Sequence, residues 1–398
     1  MNINSGTGNH AGVRAVGELF ADAFAKLGMK TRWIPMGAVD RAGHLFAESG
    51  RPGQPCTILI GHLDTVFEPD SPFQSFERLS ETVARGPGVV DAKGGNVVIL
   101  EALAALKSVG RLDQHRFVVA LSGDEEESGQ PLGAARHDLL EAAKSCKTAL
   151  GFEPGATHPH TATVARRGFT HWVLDVEATA GHSSRIFDPD IGAGAAFETA
   201  RFLEALRQKL GGRPFLSFNV GLLAAGTSLR YHPETDRAEV AGKTNVVPKT
   251  AVLAGDLRTL TIEDRERAKR DIQQIAASGS LPRTQASVEF RDTYPPMAPT
   301  AGNWALFDRL DQVSVDLGYP RIEEVDPRAK GAADISVIAH LVDATDGLGP
   351  VGGGAHTHQE TIELPSLPVV AKRAAVFLHR LATDAEKKAT WREGAAAR

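Results

Sequence analysis

The chain has 398 residues, more than one hydrophobic core usually holds, so two domains are expected before any motif is read. Hydrophobic residues at 42% and charged residues at 23% are globular proportions, which exclude the disordered, collagen-like and disulfide-rich classes. A net charge of -5 excludes a surface built to neutralise nucleic-acid phosphates, and no apolar run approaches the ~20 residues of a membrane span.

In chain order, the first part alternates short apolar strands with helical patterns, as in a central sheet wrapped by helices. Strands are expected at Thr57 to Ile60, Arg116 to Leu121 and Thr148 to Phe152. A crossover helix runs from Asn96 to Ser108, with Val98, Leu100, Leu103 and Leu106 supplying the apolar positions. From about Val164 the texture changes. A strand around Trp172 to Ala178 alternates as if one face were packed and the other solvated, followed by a helix at Gly192 to Leu210. A strand at Thr250 to Arg258, a charged amphipathic helix at Ile262 to Ala277 and a strand at Gln285 to Arg291 complete a compact α+β insert. After Pro295-Pro296 helix and strand alternation returns, through Asn303 to Leu317, Asp334 to Leu341 and a final helix at Leu367 to Leu381, with Gly394 to Ala397 as a frayed tail.

The expected fold is therefore α/β: a catalytic domain with a mixed central sheet, residues 1–164 and 292–398, interrupted by a smaller α+β domain at 165–291. Cys56 and Cys146 are expected as buried small hydrophobes in a reducing, cytoplasmic setting, with a single bridge between them as the alternative.

Five stretches place a His, Asp or Glu after a predicted strand or inside a glycine-rich loop, where several elements of a sheet protein converge on one crevice. In Gly61-His62-Leu63-Asp64, His62 offers an imidazole and Asp64, two residues on, can accept the other ring N–H. Asp91 sits between the glycine pairs Gly86/Gly88 and Gly94/Gly95, which permit close backbone approach and suit a carboxylate shared by two cations, although a helix-capping Asp is the plainer reading. The acidic run Asp124 to Glu127 asks for a cation, since adjacent carboxylates repel by roughly 1 kcal/mol per close pair in solvent, and a solvated loop is its simpler alternative. Glu153 ends a fourth strand-loop, and His356 and His358 compete for one role in the glycine-rich stretch Gly352 to Glu360. Two imidazoles and three carboxylates form an N/O set that suits zinc, and paired metals ~3.5–4 Å apart are an established hydrolytic arrangement.

With those residues in hand, the chain resembles the co-catalytic di-zinc peptidases and aminoacylases, the family of carboxypeptidase G, acetylornithine deacetylase and succinyl-diaminopimelate desuccinylase. The resemblance runs over nearly the whole length and is nearest the glutamate carboxypeptidase branch. It is carried by His62-Leu63-Asp64, Val90-Asp91-Ala92-Lys93, Asp124-Glu125-Glu126, Phe152-Glu153-Pro154, Asn245-Val246-Val247-Pro248 and the final histidine loop. It implies that Asp91 bridges two Zn2+, with Co2+ or Mn2+ as alternatives, that His62 and Glu153 complete one shell, and that Glu126 and His356 complete the other, with His358 as the fallback. Glu125 becomes the general base toward the water the metals share. His182 is implied to reach across a homodimer and steady the oxyanion, while Asn245 and Arg258 take positions that hold a substrate carboxylate. The implied substrate is a short peptide or N-acyl amino acid with a free carboxylate; an N-acyl amino acid deacylase, or a ligand-binding relative without turnover, is the alternative. A cis Asp91–Ala92 bond is implied too. The chain departs from glutamate-selective members between Glu153 and Gly168, where their Lys is missing and Thr161 and Thr163 stand, with Arg166 and Arg167 nearer the turn. Arg291 is only a loose candidate for their second Arg.

Overall fold

The computed structural model describes residues 1–396, and side chains through residue 383. Of the tail expected at Gly394 to Ala397, Ala397 lies outside the described residues. In chain order, α1 (His10–Lys26) leads to β1 (Lys30–Met36), β2 (Arg41–Glu48) and β3 (Cys56–His62), then α2 (Lys93–Ser108), β4 (Arg116–Ser122), α3 (His137–Ser145) and β5 (Thr148–Gly151). Next come β6 (Gly168–Ala178), α4 (Gly194–Leu210), β7 (Ser217–Gly226), the hairpin β8 (Ser228–His232) and β9 (Arg237–Ala241), β10 (Thr250–Thr259), α5 (Ile262–Ala277) and β11 (Thr284–Asp292). The chain closes with α6 (Ala301–Asp316), α7 (Asp334–Ile338), β12 (Asp343–Thr345) and α8 (Ser366–Ala396).

Two compact units emerge: Met1–Arg166 together with the chain from Met297 onward, and Arg167–Pro296 between them. The crossings fall slightly beyond the expected positions. Arg166 N–H donates to Met297 O and receives the return bond, closing the first unit, whereas Phe169 pairs with Tyr294 and Thr293 in the second.

The first unit is built on a six-stranded sheet in the order β1-β2-β4-β3-β5-β12. β1, β2 and β4 pair antiparallel, while β4, β3, β5 and β12 run parallel, so the sheet is mixed as expected. Every residue of β3 is buried, which suits a central parallel strand covered on both faces. Ile58, Ile60, Val118, Ala120 and Ala149 pack on one of those faces against Leu139, Ile335 and Ile338. Helix α2 presents Val98, Ile99, Ala102, Leu103 and Leu106 to the interior, and its chain reverses at Gly110, whose φ of +68° a side chain would resist.

Cys56 and Cys146 form a disulfide with their Cα atoms 4.6 Å apart, which corrects the expectation of two free thiols. The reason is register: Thr57 faces Thr148 across β3 and β5, so both strands begin side by side, with Cys56 one residue before Thr57 and Cys146 two before Thr148.

The second unit carries an antiparallel sheet in the order β7-β10-β6-β11. Trp172, Leu174 and Val176 of β6 and Leu253 and Leu257 of β10 bury one face against Phe202 and Leu206 of α4 and Ile272 of α5. Helix α5 starts on Thr261, whose hydroxyl accepts from Asp264 N, with Glu263 and Asp264 favourably placed in the first turn. Among the described residues, no helix is long and apolar enough to cross a membrane.

Candidate metal centre

The carboxyl ends of β3, β4 and β5 lie next to one another because these strands are parallel neighbours, so the residues that follow them share one end of the sheet. His62 closes β3 and is fully buried. Its main-chain carbonyl accepts from Asn96 Nδ2 at 2.6 Å. Its Nδ1 sits 3.1 Å from the Asp64 carbonyl and 3.3 Å from Asp64 Oδ1, which leaves Nε2 facing Asp91 Oδ1 at 3.2 Å and Glu153 Oε1 at 3.7 Å. Asp91 Oδ2 in turn lies 3.2 Å from His356 Nε2, which lies 3.1 Å from Glu126 Oε2. The five groups thus form a series, Glu153, His62, Asp91, His356, Glu126, with Asp91 in the middle.

Close backbone approach makes this possible. A Cβ on Gly95 in the first turn of α2 would lie 1.9 Å from the Phe152 carbonyl, so only glycine lets the Asp91 segment come so near the strand end that carries Glu153. The Asp91–Ala92 peptide bond is cis. His358 lies away from the series: its ring packs against the Phe67–Phe73 pair, and its Nε2 is 3.5 Å from Ser71 Oγ.

Asp64 does more than orient His62. Its carboxylate accepts from the main-chain N–H groups of Glu125 and Glu126, both at 3.1 Å, and from Thr7 Oγ1 at 2.7 Å. The β4 loop is gripped from its other side by buried Arg136, which donates to Asp124 Oδ1 and to Asp334 Oδ1, each at 2.6 Å. Arg166 donates to Asp346 Oδ2 at 2.7 Å, and Lys330 Nζ to the Pro154 carbonyl at 2.8 Å, beside Glu153. None of Thr7, Arg136, Asp334 or Asp346 was singled out by sequence, since a lone charge or hydroxyl carries no local mark of burial.

The electrostatics describe a cluster short of positive charge. Burial, followed by the charge of Asp91, pushes the Glu153 carboxyl up to about 8. Burial likewise raises Glu125 well above the usual range, with Glu153, Asp334 and Glu126 adding to it and His62 opposing, and burial raises Glu126. Bonds to Asp91 and Glu126 lift His356 to about 11. Burial works against a charged His62, yet Asp64, Asp91, Glu153 and Glu125 carry its pKa well above the ordinary value. Each shift is the cluster drawing protons to offset carboxylates, which is what cations would do instead. Ligand atoms of His62, Asp91 and Glu126 lie within 4.8 Å of one another, and two imidazoles with three carboxylates match the donor set of borderline divalent ions.

In the second unit, His182 and Asn245 are brought together. Gly181 and His182 pair with Val247 and Val246, and Ser183 N–H donates to the Asn245 carbonyl at 2.9 Å. The His182 ring is exposed, its Nδ1 2.8 Å from Ser184 Oγ. Arg258 on β10 pairs with Asp256 at 2.9 Å and lies 4.9 Å over the Phe169 ring, remaining half-exposed. Arg291 faces His171 across β11 and β6.

Residues 58–380 match Peptidase family M20/M25/M40. Carboxypeptidase G2 of Pseudomonas sp. (strain RS-16) is 25% identical over 371 residues, 92% of this chain and 84% of that protein. Among solved structures, aminopeptidase PepT from Bacillus cereus superposes with a TM-score of 0.73 at 17% identity, over 96% of this chain and 95% of that one. The YXEP protein of Bacillus subtilis, described as a dinuclear metal binding peptidase from the M20 family, superposes with a TM-score of 0.65 at 16% identity, over 96% and 94%. A match across most of the chain, on a fold shared with those peptidases, means that this protein belongs to peptidase family M20/M25/M40.

Proposed function

We propose that the protein is a zinc-dependent hydrolase that cleaves the amide bond of a short peptide or N-acyl amino acid next to a free carboxylate, working as a homodimer. The observation that carries this reading is the uninterrupted series from Glu153 to Glu126, centred on Asp91, with half-buried Glu125 directly before Glu126 in the chain.

In this reading His62 and Glu153 would hold one cation and Glu126 and His356 the other, with Asp91 available to both. The chemistry that cations held there would supply is polarisation of the substrate carbonyl and a water pKa lowered toward ~7. Glu125 takes a proton from the attacking water and delivers it to the leaving nitrogen as the C–N bond breaks. Asp64 holds the Glu125 and Glu126 main chain in place by the two N–H bonds it accepts. His182 is assigned to steady the developing oxyanion in the partner subunit's site, and Asn245 and Arg258 to receive the substrate carboxylate. An exposed imidazole beside Asn245 and the fork of a half-exposed Arg support those roles.

The test is metal analysis of the purified protein alongside a panel of dipeptides and N-acyl amino acids, each with and without chelator. Two zinc equivalents and chelator-sensitive release of an amino acid are expected. A protein that binds no divalent ion tightly, or a panel without turnover at any metal loading, sinks the reading. Tolerance of change on the acyl side or on the carboxylate side separates a carboxypeptidase from a deacylase.

A further inference from the structure

Glu360 lies four residues past His356, and nothing in the chemistry above uses it. It is 1% exposed, and its carboxylate points into the segment that carries Asp91. Oε2 accepts from Gly88 N at 3.0 Å, while Oε1 accepts from Val90 N at 2.9 Å and from Asp91 N at 3.1 Å. The Glu360 carbonyl accepts from Gly86 N at 3.2 Å. One residue therefore grips the Gly86 to Asp91 segment at four points. Lys93, also buried, donates toward the Pro87 carbonyl at 3.4 Å and supplies the nearby positive charge that a buried carboxylate needs.

The other end of the same short segment is His356. The turn between them is closed by Thr357, whose N–H and hydroxyl both donate to the Gly354 carbonyl, at 3.0 and 2.7 Å, and by Glu360 N–H donating to the Thr357 carbonyl at 3.1 Å. His356 stands on it at a positive φ of 63° with more than half of its side chain exposed. Asp91 is thus held twice by one turn, its main chain through Glu360 and its carboxylate facing His356. The His62 side is anchored differently, in a buried strand end tied to Asn96 and Asp64, without any bond to Glu360.

We propose that Glu360 is a positioning residue for the dinuclear centre, coupling the Asp91 and His356 segments so that the cation on the Glu126–His356 side is retained. The proposal rests on the dinuclear reading given above. A residue that merely filled the fold would affect stability alone; a residue that sets the relation of Asp91 to His356 affects one ion and spares the other.

The experiment is Co2+ titration of the metal-depleted full-length protein and of E360Q, E360A and E360D, followed by visible absorption and by bound-metal analysis, with circular dichroism and thermal unfolding of each metal-depleted form. E360Q keeps the shape and one carbonyl oxygen for Val90 and Asp91 but turns a donor toward Gly88 N–H, so it is expected to weaken the second cobalt ion about 10–100-fold while leaving the first within roughly twofold. E360A is expected to lose more, and E360D, which keeps the charge, less. If E360A does not fold, E360Q and E360D carry the same comparison. Folded variants that bind both ions with the parent's affinity, even at a lower melting temperature, overturn the proposal, and so does equal weakening of both ions. A parent protein that takes up fewer than two cobalt ions is a different result, because it removes the dinuclear reading and not the grip of Glu360.

Discussion

Arg136 holds Asp124 twice: Nη1 donates to Oδ1 at 2.6 Å and Nη2 to the main-chain carbonyl at 3.1 Å, with both side chains buried. The same guanidinium donates to Asp334, so one buried cation serves two buried carboxylates, one of them immediately before Glu125. Removing it takes away the cation that both carboxylates face. R136M is expected to destabilise the protein by about 3–5 kcal/mol, and R136K by less, because an ammonium keeps the charge but cannot reproduce the fork. Urea unfolding measures this, and a loss below about 1 kcal/mol for R136M contradicts it.

Glu125 is expected to matter for turnover and not for loading. E125Q keeps the size and main-chain bonds to Asp64 but cannot move a proton, so kcat should fall about 10²–10⁴-fold with metal content unchanged. Parental turnover by E125Q would assign the base elsewhere.

The two sides of the centre differ in access. The His62 side chain is 1% exposed and that of His356 is 56% exposed. Graded chelator is therefore expected to release the His356-side ion first and leave a one-metal species, and H356A should bind one ion where H62A disturbs both. Simultaneous loss of both ions at every chelator concentration would show that the two positions do not separate.

A pH effect arises far from this centre. His115 is buried with Nε2 3.0 Å from Thr57 Oγ1, no partner at Nδ1, and its pKa lowered by burial to about 4. Between the ordinary value near 6.5 and about 4 the unfolded chain binds the proton and the folded chain does not. Stability therefore falls as pH drops through that window and is unaffected by this group above it, by up to about 3 kcal/mol in all. H115Q, which can still bond Thr57, should flatten that part of the curve of unfolding free energy against pH; an unchanged slope counts against it.

The central strands were legible because β3, β4 and β5 are uninterrupted apolar runs, and the loops after them carried the His, Asp and Glu residues in plain view. The outer strands were not. β1 contains Lys30, Arg32 and Pro35 and is largely exposed, as befits an edge, and β7 alternates exposed and half-buried residues without a strong apolar face. The supporting charges were hidden for a different reason. Arg136 meets Asp334 from 198 positions away, Arg166 meets Asp346 from 180, and Glu360 meets Val90 from 270, so their burial is a property of the assembled sheet. The disulfide is similar, since only the pairing of β3 with β5 brings Cys56 to Cys146.

The first unit is interrupted by the second, so β12 and the turn bearing His356 and Glu360 are synthesised only after the whole of the second unit. At ~5–20 residues per second, a ribosome takes roughly 10–40 s to travel from Glu153 to His356. Throughout that interval the nascent chain already displays Asp91, Glu126 and Glu153 while the sheet lacks its sixth strand and Asp91 lacks both of its late partners. Synthesis must pass Glu360 before this centre can assemble, and a fragment terminated short of β12 is expected to emerge as a client for chaperones and proteases.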